Sequence, residues 1–206
     1  MTSNGISGYK VISLNDLIEQ LGEERVDSIL SSFSCPLNED VEQFLRTKAM
    51  VFDNQSISRT HLVFASYKKE LVLIAYFTLA NKYFTVDPKI LSSNLKRRVR
   101  KFSQFNSDLK RDIISAPLIA QLGKNFTNNY NDLITGDELL QIACDEVAEV
   151  QLRIGGKIVY LECEDKPCLI EFYERNGFRK FSERQLDNDS SKLMKTEYLV
   201  QMLRYM

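Results

Sequence analysis

The hydrophobic positions of the chain follow helical spacing in some stretches and strand spacing in others, and the switches between the two outline a fold. Between Ser13 and Phe33 they sit three and four apart. Leu14, Leu17, Ile18 and Leu21 form one stripe, and Val26, Ile29 and Leu30 a second after Gly22. A helical lead-in is expected there. A turn-rich link from Phe33 to Asn38 follows. Asn38 suits the N-cap of a new helix, because its side chain can accept from an amide of the first turn. Glu39 and Asp40 then stand where the helix dipole favours carboxylates, and Val41, Phe44, Leu45, Ala49 and Phe52 make the inward stripe.

From Thr60 the period shortens. Thr60 to Tyr67 alternates and is rich in strand formers, Lys68-Lys69-Glu70 is a polar tip, and Leu71 to Phe77 is nearly unbroken apolar sequence running on to Phe84. This reads as a β-hairpin whose second strand is central. Asp87-Pro88 opens a helix expected over Ile90 to Phe102, and Pro117 to Leu122 returns to strand, continuing toward Phe126. A loop from Thr127 to Gly136 leads into a strong helix, Asp137 to Ile154, closed by Gly155-Gly156. Ile158 to Leu161 is a short buried strand. Pro167 to Asn176 is a helix with proline in its first turn and Gly177 as its stop. Phe178 to Phe181, a polar tip at Asp187 to Lys192, and a final strand from Glu197 to Tyr205 close the chain. The Pro117 strand, the long helix and the Ile158 strand form a parallel unit with a right-handed crossover. Hairpin first, then this unit, then an antiparallel end, predicts a mixed α/β sheet, mostly antiparallel, with helices on both faces.

Composition removes alternatives more than it adds any. A chain of 206 residues is one domain, or one with an appendage. No run approaches the ~20 apolar residues of a membrane-spanning helix, so no membrane partner is expected. The N-terminus lacks a basic stretch leading into an apolar one, so the expected location is cytoplasmic. Cys35, Cys144, Cys163 and Cys168 have no metal-like pairing with the single histidine, His61, and no metal site is expected. There is no G-x-S-x-G elbow, no G-x-x-x-x-G-K-[ST] loop and no strand-linked G-x-G-x-x-G, so common hydrolase and nucleotide-binding chemistries fall away. A net charge of −1 gives no global pull toward nucleic acid.

The stretch Phe172-Tyr173-Glu174-Arg175-Asn176-Gly177-Phe178 resembles the last motif of the GNAT superfamily of acyl-CoA N-acyltransferases. The order of elements from about Phe33 to Met206 is similar to that fold. A helical extension at residues 1–32 therefore precedes an acetyltransferase domain at residues 33–206. Phe33-Ser34-Cys35, then Phe44-Leu45-Arg46 with Ala49, then Ser58-Arg59-Thr60, then Tyr76-Phe77-Thr78-Leu79-Ala80 resemble, in that order, one branch. That branch contains toxins of toxin–antitoxin pairs that acetylate the amino group of aminoacyl-tRNA.

The resemblance implies acetyl-CoA as cosubstrate, a slot where the parallel strands splay apart, and tRNA and an antitoxin protein as partners. It implies Tyr173 as the group that protonates the departing thiolate. Backbone amides of Asn125, Phe126 and Thr127 would hold the acetyl carbonyl and pantetheine arm. The diphosphate loop falls on Asn131, Asp132, Leu133, Ile134, Thr135 and Gly136, with Asp137 beyond it. Only Gly136 matches the Q/R-x-x-G-x-G/A pattern; Ile134 replaces a usual glycine, and Asp132 and Asp137 bring negative charge toward an anion. Lys124 is the nearest compensating cation.

Three further features keep two readings each. Lys96, Arg97, Arg98, Arg100 and Lys101, followed by Lys110 and Arg111, are either an RNA-contacting surface, with Arg97, Arg98 and Arg100 on phosphates, or a solvated helix face paired with acidic neighbours. Arg59 either faces the substrate cleft or serves the base of the hairpin. Glu162 and Glu164 either act as a base or are merely solvated. The extension caps the sheet, forms a homodimer or binds a cognate partner. Function stays open among three classes: acetylation of aminoacyl-tRNA, acetylation of a small amine or protein N-terminus, and a GNAT-fold binding module with impaired catalysis.

Overall fold

A computed structural model describes residues 8–186 and 197–206, so the polar tip expected at Asp187 to Lys192 lies outside the described residues. In chain order the elements are β1 (Tyr9–Ser13), α1 (Leu14–Leu21), α2 (Glu23–Ser31), α3 (Glu39–Gln43), a π-helical turn (Phe44–Lys48), α4 (Ala49–Asn54), β2 (Arg59–Tyr67) and β3 (Glu70–Val86). Then come α5 (Ser93–Val99), β4 (Ser103–Asn106), β5 (Arg111–Lys124), a 3-10 turn (Thr127–Leu133), α6 (Gly136–Ile154), β6 (Ile158–Cys163), α7 (Pro167–Arg175), β7 (Arg179–Gln185) and β8 (Tyr198–Tyr205). The strand order is β1-β2-β3-β5-β6-β8-β7, with β4 on β5 outside that path. The pairs β1–β2, β2–β3, β4–β5, β6–β8 and β7–β8 are antiparallel and β5–β6 is parallel. The expected mixed, mostly antiparallel sheet is therefore found. Its parallel ladder is short: Leu118 pairs with Tyr160 and Ile119 with Leu161, and both strands continue beyond it.

The chain divides into two compact units. The first takes Met1–Ala80 and Ala120–Asp145, the second Asn81–Ile119 and Glu146–Met206. In the first, Leu14, Leu17, Val26, Leu30, Phe33, Val41 and Leu45 are buried together with Leu62, Leu73 and Tyr76. The helical stripes of the lead-in thus bury against strands of the hairpin. Phe33 meets the Tyr76 ring edge-on at 5.2 Å, a geometry that contributes about 1 kcal/mol beyond area burial. The Tyr76 hydroxyl donates to the Val41 carbonyl at 2.5 Å. Gly123 passes this cluster so closely that a Cβ would collide with the Val41 side chain. As expected, Asn38 caps α3, accepting from the Val41 amide.

The helix beyond Asn38 is not the continuous one its stripe suggests. It widens to π geometry at Phe44–Lys48, where Arg46 Nε donates to the Phe33 carbonyl at 2.8 Å and the Thr47 hydroxyl donates back to Gln43 O at 2.7 Å. An edge strand, Tyr9–Ser13, also precedes the lead-in and pairs with β2 from Tyr9↔Ala65 to Ser13↔His61. Its sequence, YKVIS, is too short for alternation to declare itself.

In the second unit Phe84, Val86, Leu91, Val99 and Ile114 are buried with Ile158, Tyr160, Phe181 and Leu203. The helix expected over Ile90 to Phe102 is shorter, Ser93–Val99, and the residues after it form the β4–β5 hairpin, Ser103↔Ile114 to Asn106↔Arg111. Pro117, which has no amide to donate, lies between the end of the β4 ladder at Ile114 and the start of the β6 ladder at Leu118.

Candidate functional site

In the second unit the candidate chemistry is carried by α7 and the strands beside it. Pro167 opens α7, and Gly177 at φ +85° ends it in a conformation that strongly favours glycine. Asn176 Nδ2 donates to the Phe172 carbonyl at 2.9 Å, and the Phe178 amide donates to Tyr173 O at 3.0 Å, turning the chain sharply into β7. Phe178 is fully buried and meets the Tyr173 ring at 5.9 Å, while Phe172 meets it edge-on at 4.9 Å. These contacts fix the phenol ring. The residue is half-buried, and among the described residues no hydrogen bond to its hydroxyl is found.

Burial, and then the Cys163 thiol, raise the Tyr173 pKa well above that of a free phenol. Burial first, then Asp165 and Glu164, push Cys163 itself up to about 12. Both groups are therefore protonated at neutral pH. A phenol of raised pKa is a poor acid in the ground state but a good hydrogen-bond donor to a developing thiolate.

The carboxylates at the end of β6 are occupied. Glu162 accepts from Arg184 Nε at 3.0 and 2.9 Å, and from Gln201 Nε2 at 2.8 Å. Glu164 is ion-paired with Lys166, and Asp165 accepts from the Tyr198 hydroxyl at 2.7 Å. A base drawn from Glu162 or Glu164 would have to leave a cation.

In the first unit the end of β5 runs into Asn125, which is buried and saturated. Its amide donates to Ile74 O at 2.7 Å and its Nδ2 to Leu73 O at 2.8 Å, while its Oδ1 accepts from the Ser34 and Thr127 amides at 3.0 Å each. The Phe126 amide donates to Ser34 O at 2.7 Å. All three amides expected to face a ligand, those of Asn125, Phe126 and Thr127, already donate within the protein.

The loop that follows is equally tied down. Asn128 and Asn129 take left-handed φ of 51° and 60°, which asparagine tolerates. Lys124 Nζ donates to the Asn131 and Ile134 carbonyls at 3.0 and 3.1 Å, and the Tyr9 hydroxyl donates to Leu133 O at 3.1 Å. Lys124 thus stands beside the loop and holds its shape. Ile134, in place of a usual glycine, is 2 % exposed: its side chain belongs to the core and does not crowd the outer face of the loop. Asp132 is exposed and accepts from Asn131 Nδ2 at 2.8 Å.

The start of α6 carries a feature not anticipated above. Glu138 Oε2 accepts from the Thr135 amide at 2.8 Å and from its hydroxyl at 2.7 Å, and Thr135 Oγ1 accepts from the Glu138 amide at 3.2 Å. This is a reciprocal capping box, legible in the sequence as Thr135-Gly-Asp-Glu138. Those hydrogen bonds, led by the one from the Thr135 hydroxyl, lower the Glu138 pKa, so a full negative charge stands at the helix end that would otherwise attract an anion. Gly136 is the first residue of the helix, where a backbone amide finds no acceptor within the helix itself.

The remaining expected residues fall as follows. Arg59 serves the base of the hairpin: its guanidinium donates to Asp53 O at 2.6 Å, to Asp53 Oδ1 at 2.8 Å and to Ser56 Oγ at 3.1 Å. Asp53, 1 % exposed, also accepts from the Thr60 amide at 2.9 Å. Arg97, Arg98 and Arg100 lie on or just after α5 and are exposed, with Arg98 over the Tyr205 ring at 5.1 Å. The structure brings Asn125 to Asp137 together in the first unit. Tyr173 and the three arginines belong to the second.

No family model matches the chain, and no curated protein does. Solved structures do match. A Tyr-to-Phe variant of KacT superposes with TM-score 0.61 at 13% identity over 94% of both chains. AtaT complexed with acetyl-methionyl-tRNAfMet superposes with TM-score 0.61 at 17% identity over 93% of both. AtaTR bound with AcCoA gives 0.55 at 15% identity, over 95% of this chain and 93% of that one. At these identities the likeness is one of fold. The fold is the one seen in AtaT and KacT. Among the described residues no helix is long and apolar enough to cross a membrane, and no cluster of possible metal ligands is found.

Proposed function

We propose that this protein is an acetyl-CoA-dependent N-acetyltransferase of the bacterial cytoplasm whose acceptor is the amino group of an aminoacyl-tRNA. The observation that carries the reading is the end-to-end likeness to a structure holding an acetylated aminoacyl-tRNA, spanning 93% of both chains. In the reaction the neutral amine attacks the thioester carbonyl, the C–S bond breaks, and the thiolate takes the Tyr173 proton. The proton released by the amine to solvent is balanced by one that solvent returns to the phenolate. An α-amino group with a pKa of about 8 is partly neutral at physiological pH, so no dedicated base is required. That agrees with Glu162 and Glu164 both being ion-paired. The amide of Gly136 and the positive end of α6 would receive the diphosphate on the outer face of the loop. Arg97, Arg98 and Arg100 would meet RNA phosphates. An antitoxin protein is the expected partner, since an AtaT structure contains AtaR.

A second reading is favoured by a specific observation. Glu138 caps α6 with a negative charge, and the amides from Asn125 to Thr127 are spent, which suits a binding module with weak affinity for CoA.

Incubation with acetyl-CoA and charged tRNA, followed by thiol titration and mass spectrometry of the released aminoacyl group, decides between them. The first reading expects free CoA and an acetylated amino acid. Absence of acetyl-CoA binding by calorimetry at millimolar ligand would leave the second.

A further inference from the structure

The segment Asn81–Ile119 holds nine lysines and arginines against three aspartates, in a chain whose net charge is −1. One of those acids, Asp112, is buried. Its sheet portion is asymmetric. On one face Phe84, Val86, Ile114 and Ala116 are buried beside Leu91 and Val99. The alternate residues on the same strands are open: Asn81, Tyr83, Gln104, Arg111 and Ser115 are exposed and Ile113 half-buried. Arg111 Nη1 lies 3.4 Å from Thr85 Oγ1, and Ser115 Oγ 3.4 Å from Asn81 Oδ1. Those two contacts put the outer side chains of β3 and β5 on one face, and the Gln104↔Ile113 pair adds β4 to it. Tyr83, 72 % exposed, sits within this face.

We infer that this open face of β3, β4 and β5 is a binding platform for single-stranded RNA, with one base stacked on Tyr83 and a phosphate held by Arg111. A flat phenol on a sheet, a guanidinium and a ring of amide and hydroxyl groups is the surface chemistry that binds unpaired bases. Double-helical RNA keeps its bases stacked on one another and offers none to Tyr83. α5 packs through Val99 on the buried side of the same sheet, so the platform is a surface apart from Arg97, Arg98 and Arg100. The inference deepens the RNA reading above by naming an unpaired segment as what is recognised.

The chain contains no tryptophan, so Tyr83→Trp creates a single fluorescent reporter. Titration with an unstructured RNA of about ten nucleotides, comparable to known single-strand site sizes, should quench it, whereas inorganic polyphosphate should not. Tyr83→Ala should bind that RNA about 5- to 100-fold more weakly, Tyr83→Phe nearly as wild type. Arg111→Gln should lower the salt slope by about one. Wild-type affinity in Tyr83→Ala overturns the inference. So does equal quenching by polyphosphate, or sedimentation showing that Tyr83→Ala instead dissolves a dimer, which would make the face a contact between copies. Loss of RNA binding in a protein that fails to bind acetyl-CoA would leave the platform standing and remove the enzyme. Undiminished acetylation of tRNA by Tyr83→Ala would do the reverse.

Discussion

The corner around Tyr173 and the corner around Asn125 and Glu138 are built on different principles. At the first, neighbours in sequence do the work. Pro167 opens the helix, Gly177 ends it, and Phe172 and Phe178 clamp the ring between them, leaving a hydroxyl with no hydrogen-bond partner found among the described residues. At the second, nearly every polar group is committed. Asn125 joins three separate stretches of chain, Lys124 laces the loop, and Glu138 caps its own helix. An unpartnered donor can be removed at little cost to folding, whereas a saturated node cannot. Function and stability should therefore respond oppositely to mutation at the two corners.

The largest expected effect is on turnover. Tyr173→Phe should lower acetyl transfer about 10²- to 10⁴-fold, the range for loss of a positioned proton donor, while the urea midpoint stays within error of wild type. A stability loss comparable to that of a core mutation would erase the contrast between the corners.

Asn125→Ala should do the opposite. Its side chain makes three hydrogen bonds to backbone, two of which satisfy amides, so about 3 kcal/mol should disappear from the unfolding free energy. Urea denaturation reads this directly, and a loss below about 1 kcal/mol would mean the node is not what holds the end of β5.

His61, also in the first unit, supplies a pH test. It stacks on Phe77 at 4.8 Å and burial lowers its pKa to about 4. The unfolded state takes up the proton near pH 6.5 and the folded state only near 4, so stability present above 6.5 is lost progressively as pH falls through that window. The loss should reach at most about 3 kcal/mol and be absent from His61→Phe. Parallel pH profiles for the two proteins would show that the imidazole titrates freely.

The smallest effect sharpens the comparison most. Glu138→Gln keeps the capping box and removes its charge, and should tighten CoA binding roughly 2- to 5-fold, the scale of one charge at a helix end. Unchanged affinity by calorimetry would mean that the diphosphate does not approach the start of α6.

Much of this was written in local pattern. The hairpin, the long helix and the corner at Gly177 arise from periodicity and from residues that start and stop helices, all of which act within a few positions. Asn38 as a cap belongs with them, and so does the Thr135–Glu138 box, a four-residue signal present in the sequence. β1 and β4 were not legible, since five and four residues carry too little alternation, and each strand exists because a longer one supplies its edge. Nor could spacing show that Ile134 turns into the core or that Arg59 serves Asp53.

By itself, then, the sequence determined which of the longer segments are helix or strand and the order in which they follow, because those choices are settled by neighbours along the chain. Only the tertiary structure decided which donors stay available. An amide at Phe126 looks like any other until Ser34, far away in the chain, is brought to accept from it. Whether Tyr83 faces solvent or core depends in the same way on what packs across the sheet, and no rule acting along the chain contains that information.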